Sequence, residues 1–189
     1  MTLIYPGTFD PVTLGHLDIA LRGAKIASRL IVAVLSNPHK TPTFSVQERV
    51  EFLKGELGSV NNIEIDSFSG LLAEYAKTKC ATAIVRGLRS SADFDAEVNY
   101  ATLNRLLSAD KENHAKRAFD YQRNLQFFTE GGIETIYIPA NPAYSFISSS
   151  AVREISSYIY TSSLSDTALS NLVTSTVQKA LEKRFKNQD

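Results

Sequence analysis

The chain has 189 residues, 43% of them hydrophobic, which supports one compact domain with a substantial core and is short for two. Lysine plus arginine and aspartate plus glutamate both number 20, so the formal net charge is zero and no global field draws the protein to nucleic acid or an anionic membrane. A lone cysteine, Cys80, excludes an internal disulfide and argues against a cysteine metal cluster, and no apolar run approaches spanning length, so the expectation is a cytoplasmic protein with no membrane partner.

The first apolar run, Leu3-Ile4-Tyr5, reads as a strand. Leu17, Ala20, Leu21 and Ala24 follow at helical spacing, so the intervening stretch from Pro6 to His16 is a strand-to-helix turn. Gly7 and Gly15 allow the main chain to bend sharply and approach a ligand, and Pro6 and Pro11 stiffen the turn. His16 falls in the first turn of the helix, where unpaired amides and the positive end of the dipole favour an anion. An imidazole there can add a donated hydrogen bond to a phosphate.

Leu30 to Leu35 is a continuous apolar run of strand length, as expected for a strand buried on both faces of a parallel sheet. Ser36 to Thr43 is a loop with prolines at 38 and 42. Ser45-x-x-Glu48 is a capping box opening a helix with Val46, Val50, Leu53 and Leu57 on its apolar face. Ile63 to Ile65 reads as a third strand, Leu71 to Lys79 as a helix, Thr82 to Val85 as a fourth strand, and Asp93 to about Leu107 as a helix with Phe94, Val98 and Ala101 on one side. Ile133 to Ile138 is the fifth strand. One of Ser148 to Ser150 should cap the helix after it, and apolar residues recurring from Leu164 to Phe185 predict a closing amphipathic helix.

Strand and helix alternate throughout, which predicts a doubly wound, Rossmann-like parallel sheet of five strands with helices on both faces. In such sheets ligands bind beyond the carboxyl ends of the strands. The Gly7 to His16 turn, the Lys40 loop, the loop before Leu71 and the Arg86 to Arg89 turn all follow strands, so all four can face one crevice.

Gly7-Thr8-Phe9-Asp10-Pro11 with Thr13-x-Gly15-His16 resembles the signature of the nucleotidylyltransferases that carry a (T/H)xGH motif. Ile147-Ser148-Ser149-Ser150-Ala151-Val152-Arg153 matches their second signature, a serine-rich segment opening a helix. Between the two, Asn37-Pro38-x-Lys40, Phe44-Ser45-x-x-Glu48-Arg49, Arg86-Gly87-Leu88-Arg89, Ala92-Asp93-Phe94 with Glu97, and Asn104-Arg105 are similar to the phosphopantetheine adenylyltransferases. The likeness covers most of positions 3 to 160. It implies one nucleotidylyltransferase domain over 1–189, acting on ATP, with its magnesium, and on 4'-phosphopantetheine, and assembled as a homohexamer.

The resemblance also implies the roles of individual residues. His16 would stabilise negative charge in the transition state. Thr8, Phe9, His16, Gly87, Leu88, Arg89, Glu97 and the segment Tyr144, Ser145, Phe146, Ile147, Ser148, Ser149 and Ser150 would hold ATP. Thr8, Lys40, Leu72 and Arg86 would hold the second substrate, Arg86 with two parallel bonds and Lys40 as a point charge. No Asp or His cluster marks a dedicated metal site. One stretch departs from the family: residues 108–132, longer by about twenty residues than the family's usual link and unusual as a bare loop, are expected to form a helical arm closed by Gly131-Gly132.

The same chemistry on nicotinamide mononucleotide, a cytidylyl transfer, and a regulator that has kept the crevice without catalysis are the competing readings. No G-x-G-x-x-G follows the first strand, against a dehydrogenase, and no G-x-x-x-x-G-K-[ST] loop is present, against a kinase of that class.

Overall fold

The computed structural model describes residues 1–36, 41–109, 132–162 and 164–186. Five strands, β1 (Thr2–Gly7), β2 (Arg29–Ser36), β3 (Ile63–Ser69), β4 (Ala83–Leu88) and β5 (Glu134–Pro139), form one sheet in the order β3-β2-β1-β4-β5. Every pairing is parallel. The expected doubly wound sheet is thus observed, and β1 and β4, adjacent in space and distant in sequence, mark the point where the winding reverses.

Side-chain alternation along the strands builds two cores. Leu3, Tyr5, Leu30, Val32, Val34 and Val85 face one side, where they pack with residues of α1 (Leu14–Ile26), α2 (Val46–Leu57) and α5 (Ser149–Thr161). Ile4, Ile31, Ala33 and Ile84 face the other, against Ala76 and Leu72 of α3 (Leu72–Thr78). β2 is buried along most of its length on both faces, as its unbroken apolar run requires. Helices therefore cover both faces. The fourth helix, α4 (Ser91–Ser108), lies against α3, β4 and β5.

Hydroxyl side chains start the helices that frame the crevice. Thr13, Ser45, Ser90 and Ser148 each accept a hydrogen bond from an amide of the first turn, satisfying donors that the helix itself cannot. Ser45 and Glu48 form the capping box expected from their spacing.

The closing segment differs from expectation. A single helix from Leu164 to Phe185 is replaced by a 3-10 turn, Thr167–Asn171, and a shorter helix, α6 (Ser175–Lys186). Ser165, Thr167 and Ser170 hydrogen-bond one another and nearby backbone, which competes with helical bonding. The break also lets the Leu172 carbonyl accept the Leu14 amide at 2.9 Å, so this segment grips the start of α1. Leu169, Val177 and Leu181 are fully buried in the same core as Val12 and Val152.

Residues 110–131, nearly all of the expected helical arm, lie outside the described residues. The two ends of that stretch are joined: Ser108 Oγ accepts the Ile133 amide at 2.6 Å and Arg105 pairs with Glu134 at 3.2 Å. Gly132 has φ +98°, and a Cβ there would lie 2.5 Å from the Arg105 carbonyl oxygen, so no other residue fits this closure. α4 and β5 thus abut as if directly connected.

Truncating a buried leucine in the closing segment should be felt throughout the domain. Leu169→Ala is expected to lower unfolding free energy by about 2–5 kcal/mol in urea titration, with the m-value unchanged.

Candidate active site

At the carboxyl ends of β1 and β4 the structure has a cleft of about 520 Å³. This is where an open parallel sheet leaves a crevice, because the connections from the two central strands run to opposite faces. The loop after β1 forms its floor. Phe9, 1% exposed, takes φ +50°, a left-handed conformation uncommon for a residue with a Cβ, and its ring folds back over Gly7. A Cβ at Gly7 would sit 2.8 Å from that ring, so the glycine is required by the close approach.

Three charged side chains hold this loop. Asp10, behind a cis bond to Pro11, accepts the amides of Thr43 and Phe44 at 2.9 and 2.8 Å. Arg49, 3% exposed, donates to the carbonyls of Thr8 (2.6 Å), Ser45 (3.2 Å) and Leu35 (3.3 Å). Arg153 of the serine-rich signature donates to the Asp10 carbonyl, and Ser149 Oγ donates to the Pro11 carbonyl at 2.9 Å. The two signatures, more than 130 residues apart, are thereby bonded to each other. Arg49 and Asp10 were visible as motif letters, but their role in fixing carbonyls needed the fold.

The helix signature has a local cause. Thr13 Oγ1 accepts the His16 amide at 3.3 Å, and the Thr13 amide donates to Nδ1 of His16 at 3.1 Å, so the pair is a capping box with histidine in place of glutamate. An amide can only donate, so Nδ1 is an acceptor and the neutral ring carries its proton on Nε2. Desolvation, then the positive charges of Arg89 and Arg86, push the His16 pKa down to about 4. The ring is therefore a neutral donor at physiological pH. The imidazole and the Phe9 ring meet at near right angles, with centroids 5.1 Å apart.

Arg86 meets Glu97 of α4 through two parallel bonds, 2.7 Å from Nε and 2.5 Å from Nη2, and donates to the Pro6 carbonyl at 3.0 Å. Among the described residues three of its five N–H groups have partners, which leaves two for a ligand. The forked geometry expected for a substrate phosphate is thus taken by Glu97, each of whose oxygens accepts one of these bonds and keeps a further lone pair toward the cleft that it lines. Arg89 is held in the same way by Asp93, at 3.1 and 3.2 Å, and also reaches the Ile147 carbonyl at 3.4 Å.

Of the residues singled out from sequence, Thr8, Phe9, His16, Leu72, Arg86, Gly87, Arg89, Glu97, Tyr144, Ile147, Ser148 and Ser149 all line the cleft. Leu88, Ser145, Phe146 and Ser150 do not. Ser145 donates to the Pro142 carbonyl, Ser150 accepts from Arg153, and Phe146 is 69% exposed. Ser149 commits its O–H to the Pro11 carbonyl, whereas Ser148 Oγ accepts the Ala151 amide at the helix cap and keeps its own O–H to donate. The serine run thus supplies a frame, first-turn amides and the Ser148 hydroxyl. Lys40 lies outside the described residues. Leu35, Phe68 and Leu71 form an apolar end of the cleft beside Leu72.

Among the described residues no group of His, Cys, Asp and Glu could hold a metal ion. The cleft carboxylates of Asp93 and Glu97 are both neutralised by arginines.

Comparison with known proteins agrees with this geometry. Residues 4–155 match the model of the cytidylyltransferase-like family. The chain is 41% identical over 183 residues to a phosphopantetheine adenylyltransferase of Caldanaerobacter subterraneus subsp. tengcongensis, covering 97% of this chain and 96% of that one. It is 42% identical over 158 residues to a phosphopantetheine adenylyltransferase of Nostoc punctiforme, covering 84% of this chain and 74% of that one. Two solved structures of Plasmodium falciparum nicotinic acid mononucleotide adenylyltransferase, with NaAD and with APC, share the fold at a TM-score of 0.57 and 15% identity, over 96% of this chain and 94% of theirs. Likeness of this extent, over a chain whose two signatures meet at one cleft, makes it a member of the phosphopantetheine adenylyltransferase family.

Proposed function

We propose that the chain transfers the adenylyl group of ATP to the phosphate of 4'-phosphopantetheine, a late step of coenzyme A synthesis in the cytoplasm. An oxygen of the pantetheine phosphate attacks the α-phosphorus, the bond from that phosphorus to the bridging oxygen breaks, and pyrophosphate leaves with the electron pair. The nucleophile has a second pKa of about 6, so near neutral pH it is mostly dianionic and needs no general base. The barrier lies in aligning two anions and stabilising charge at the α-phosphoryl group.

The observation that carries this reading is the neutral His16, held by Thr13 at the head of α1, with no partner to its Nε2–H among the described residues and with Arg86 and Arg89 lining the same cleft. A neutral donor with its orientation already fixed suits charge that develops during the reaction. Gly87 and Arg89 lie on the nucleotide side. Arg86, with two N–H groups left, and Lys40 would take the pantetheine phosphate, and Leu72 with its apolar neighbours the pantetheine arm. ATP arrives with magnesium as part of the substrate, since both cleft carboxylates are already paired and offer the ion no ligand set.

The homohexamer is also our proposal. Among the described residues none of α4 is buried, and Tyr100, Leu103 and Leu107, at i, i+3 and i+7, leave an apolar stripe exposed. A stripe of this kind favours cover by a second copy. Sedimentation should give six copies per particle, and Leu103→Glu should shift it to smaller species.

The direct test is pyrophosphate release from ATP with 4'-phosphopantetheine, compared with nicotinamide mononucleotide as acceptor. Strong preference for the first is expected; the reverse preference would overturn the assignment. His16→Ala should lower turnover by roughly a hundredfold or more and change ATP affinity less. Because His16 stays neutral down to about pH 4, the acid limb of the rate should follow the substrate phosphate, near pH 6, and persist in His16→Ala. Loss of activity through a group titrating with His16 by NMR would contradict this.

A further inference from the structure

Tyr5 lies in the buried part of β1 and is 6% exposed. Its ring packs edge-on against Phe9, with centroids 5.4 Å apart, and Phe9 does the same against His16. That accounts for the ring and leaves the hydroxyl unexplained. A buried phenol ordinarily finds a partner, because an unmet O–H in an apolar setting is costly. Among the described residues Tyr5 Oη has none. The side-chain polar atoms that lack a partner and are sealed from solvent are Arg105 Nε, Thr135 Oγ1 and Thr174 Oγ1. Tyr5 Oη is not one of them, so it keeps some access, and the space that Tyr5 borders is the cleft.

The side of the cleft follows from strand alternation. Tyr5 shares a face of the sheet with Leu3 and Val85, the face covered by α1. Arg86, next after Val85, points to the other face and reaches Glu97 on α4. Tyr5 therefore belongs with His16, Ile19 and Gly87, not with the pantetheine side. Burial holds the phenol well above its ordinary range in spite of Arg86 and Arg89, so it is a neutral O–H that can donate one bond and accept another.

We infer that the Tyr5 hydroxyl is a nucleotide-binding group that hydrogen-bonds ATP from the floor of the cleft. The inference rests on the proposed function for the identity of the ligand. It gives the unpartnered hydroxyl a reason to sit at the winding reversal, where phenylalanine would pack as well against Phe9.

Calorimetric titration of ATP into the unaltered protein and into Tyr5→Phe tests it. The variant keeps the ring and should melt at the same temperature or higher. Its Kd for ATP should rise about three- to tenfold, the range of one lost hydrogen bond, while the KM for 4'-phosphopantetheine at saturating ATP stays put. If the unaltered protein binds ATP and the variant binds it equally well, the hydroxyl is not a nucleotide ligand and the inference falls alone. A rise confined to the KM for 4'-phosphopantetheine overturns it too, placing the hydroxyl on the Arg86 side. Failure of the unaltered protein to bind ATP would remove both the inference and the function on which it rests.

Discussion

The hydrogen bond from the Thr13 amide to Nδ1 of His16 is the constraint on which the site turns. It starts α1, satisfies an amide the helix cannot, fixes the tautomer of the imidazole, and sends the remaining N–H away from the cap. A protonated ring would set one N–H against another at this point. The positive charges of Arg86 and Arg89 act in the same direction. Structure and electrostatics thus require the same neutral ring.

For that bond to matter, the loop carrying Thr13 must be held still. Asp10 accepts two amides from the segment ahead of α2, Arg49 collects three carbonyls, and Arg153 and Ser149 tie the loop to the start of α5. The partners come from the segment ahead of α2, from α2 and from α5. Buried charges are tolerable here because each is met by several oriented backbone groups. The closing segment adds the Leu172 carbonyl at the first amide of α1, which explains why the chain beyond the family model's last matched residue is integral to the core.

The arginines of the cleft are held in a similar economy. Glu97 and Asp93 keep Arg86 and Arg89 extended and oriented while leaving some donors unused. A guanidinium whose fork is already placed loses little freedom when an anion arrives. The carboxylates also limit the positive charge that would otherwise gather around His16.

Much of this was legible in the residues themselves. The apolar run Leu30 to Leu35, the Ser45-Glu48 box and the alternation of strand and helix are local patterns, and local hydrogen bonding and burial on a strand or a helix face are enough to specify them. The motif letters from Gly7 to His16 and from Ile147 to Arg153 announced the chemistry for the same reason: a turn that brings amides to a phosphate needs those small and hydroxylated residues. Tertiary structure alone decided which donors remain free. That Arg86 spends its fork on Glu97, that Ser149 ties the serine run to Pro11, that Leu164 to Phe185 breaks so Leu172 can meet Leu14, and that Tyr5 Oη has no partner among the described residues all depend on the arrangement of distant elements. Such contacts are set by the packing of the whole sheet, and spacing along the chain carries no record of them.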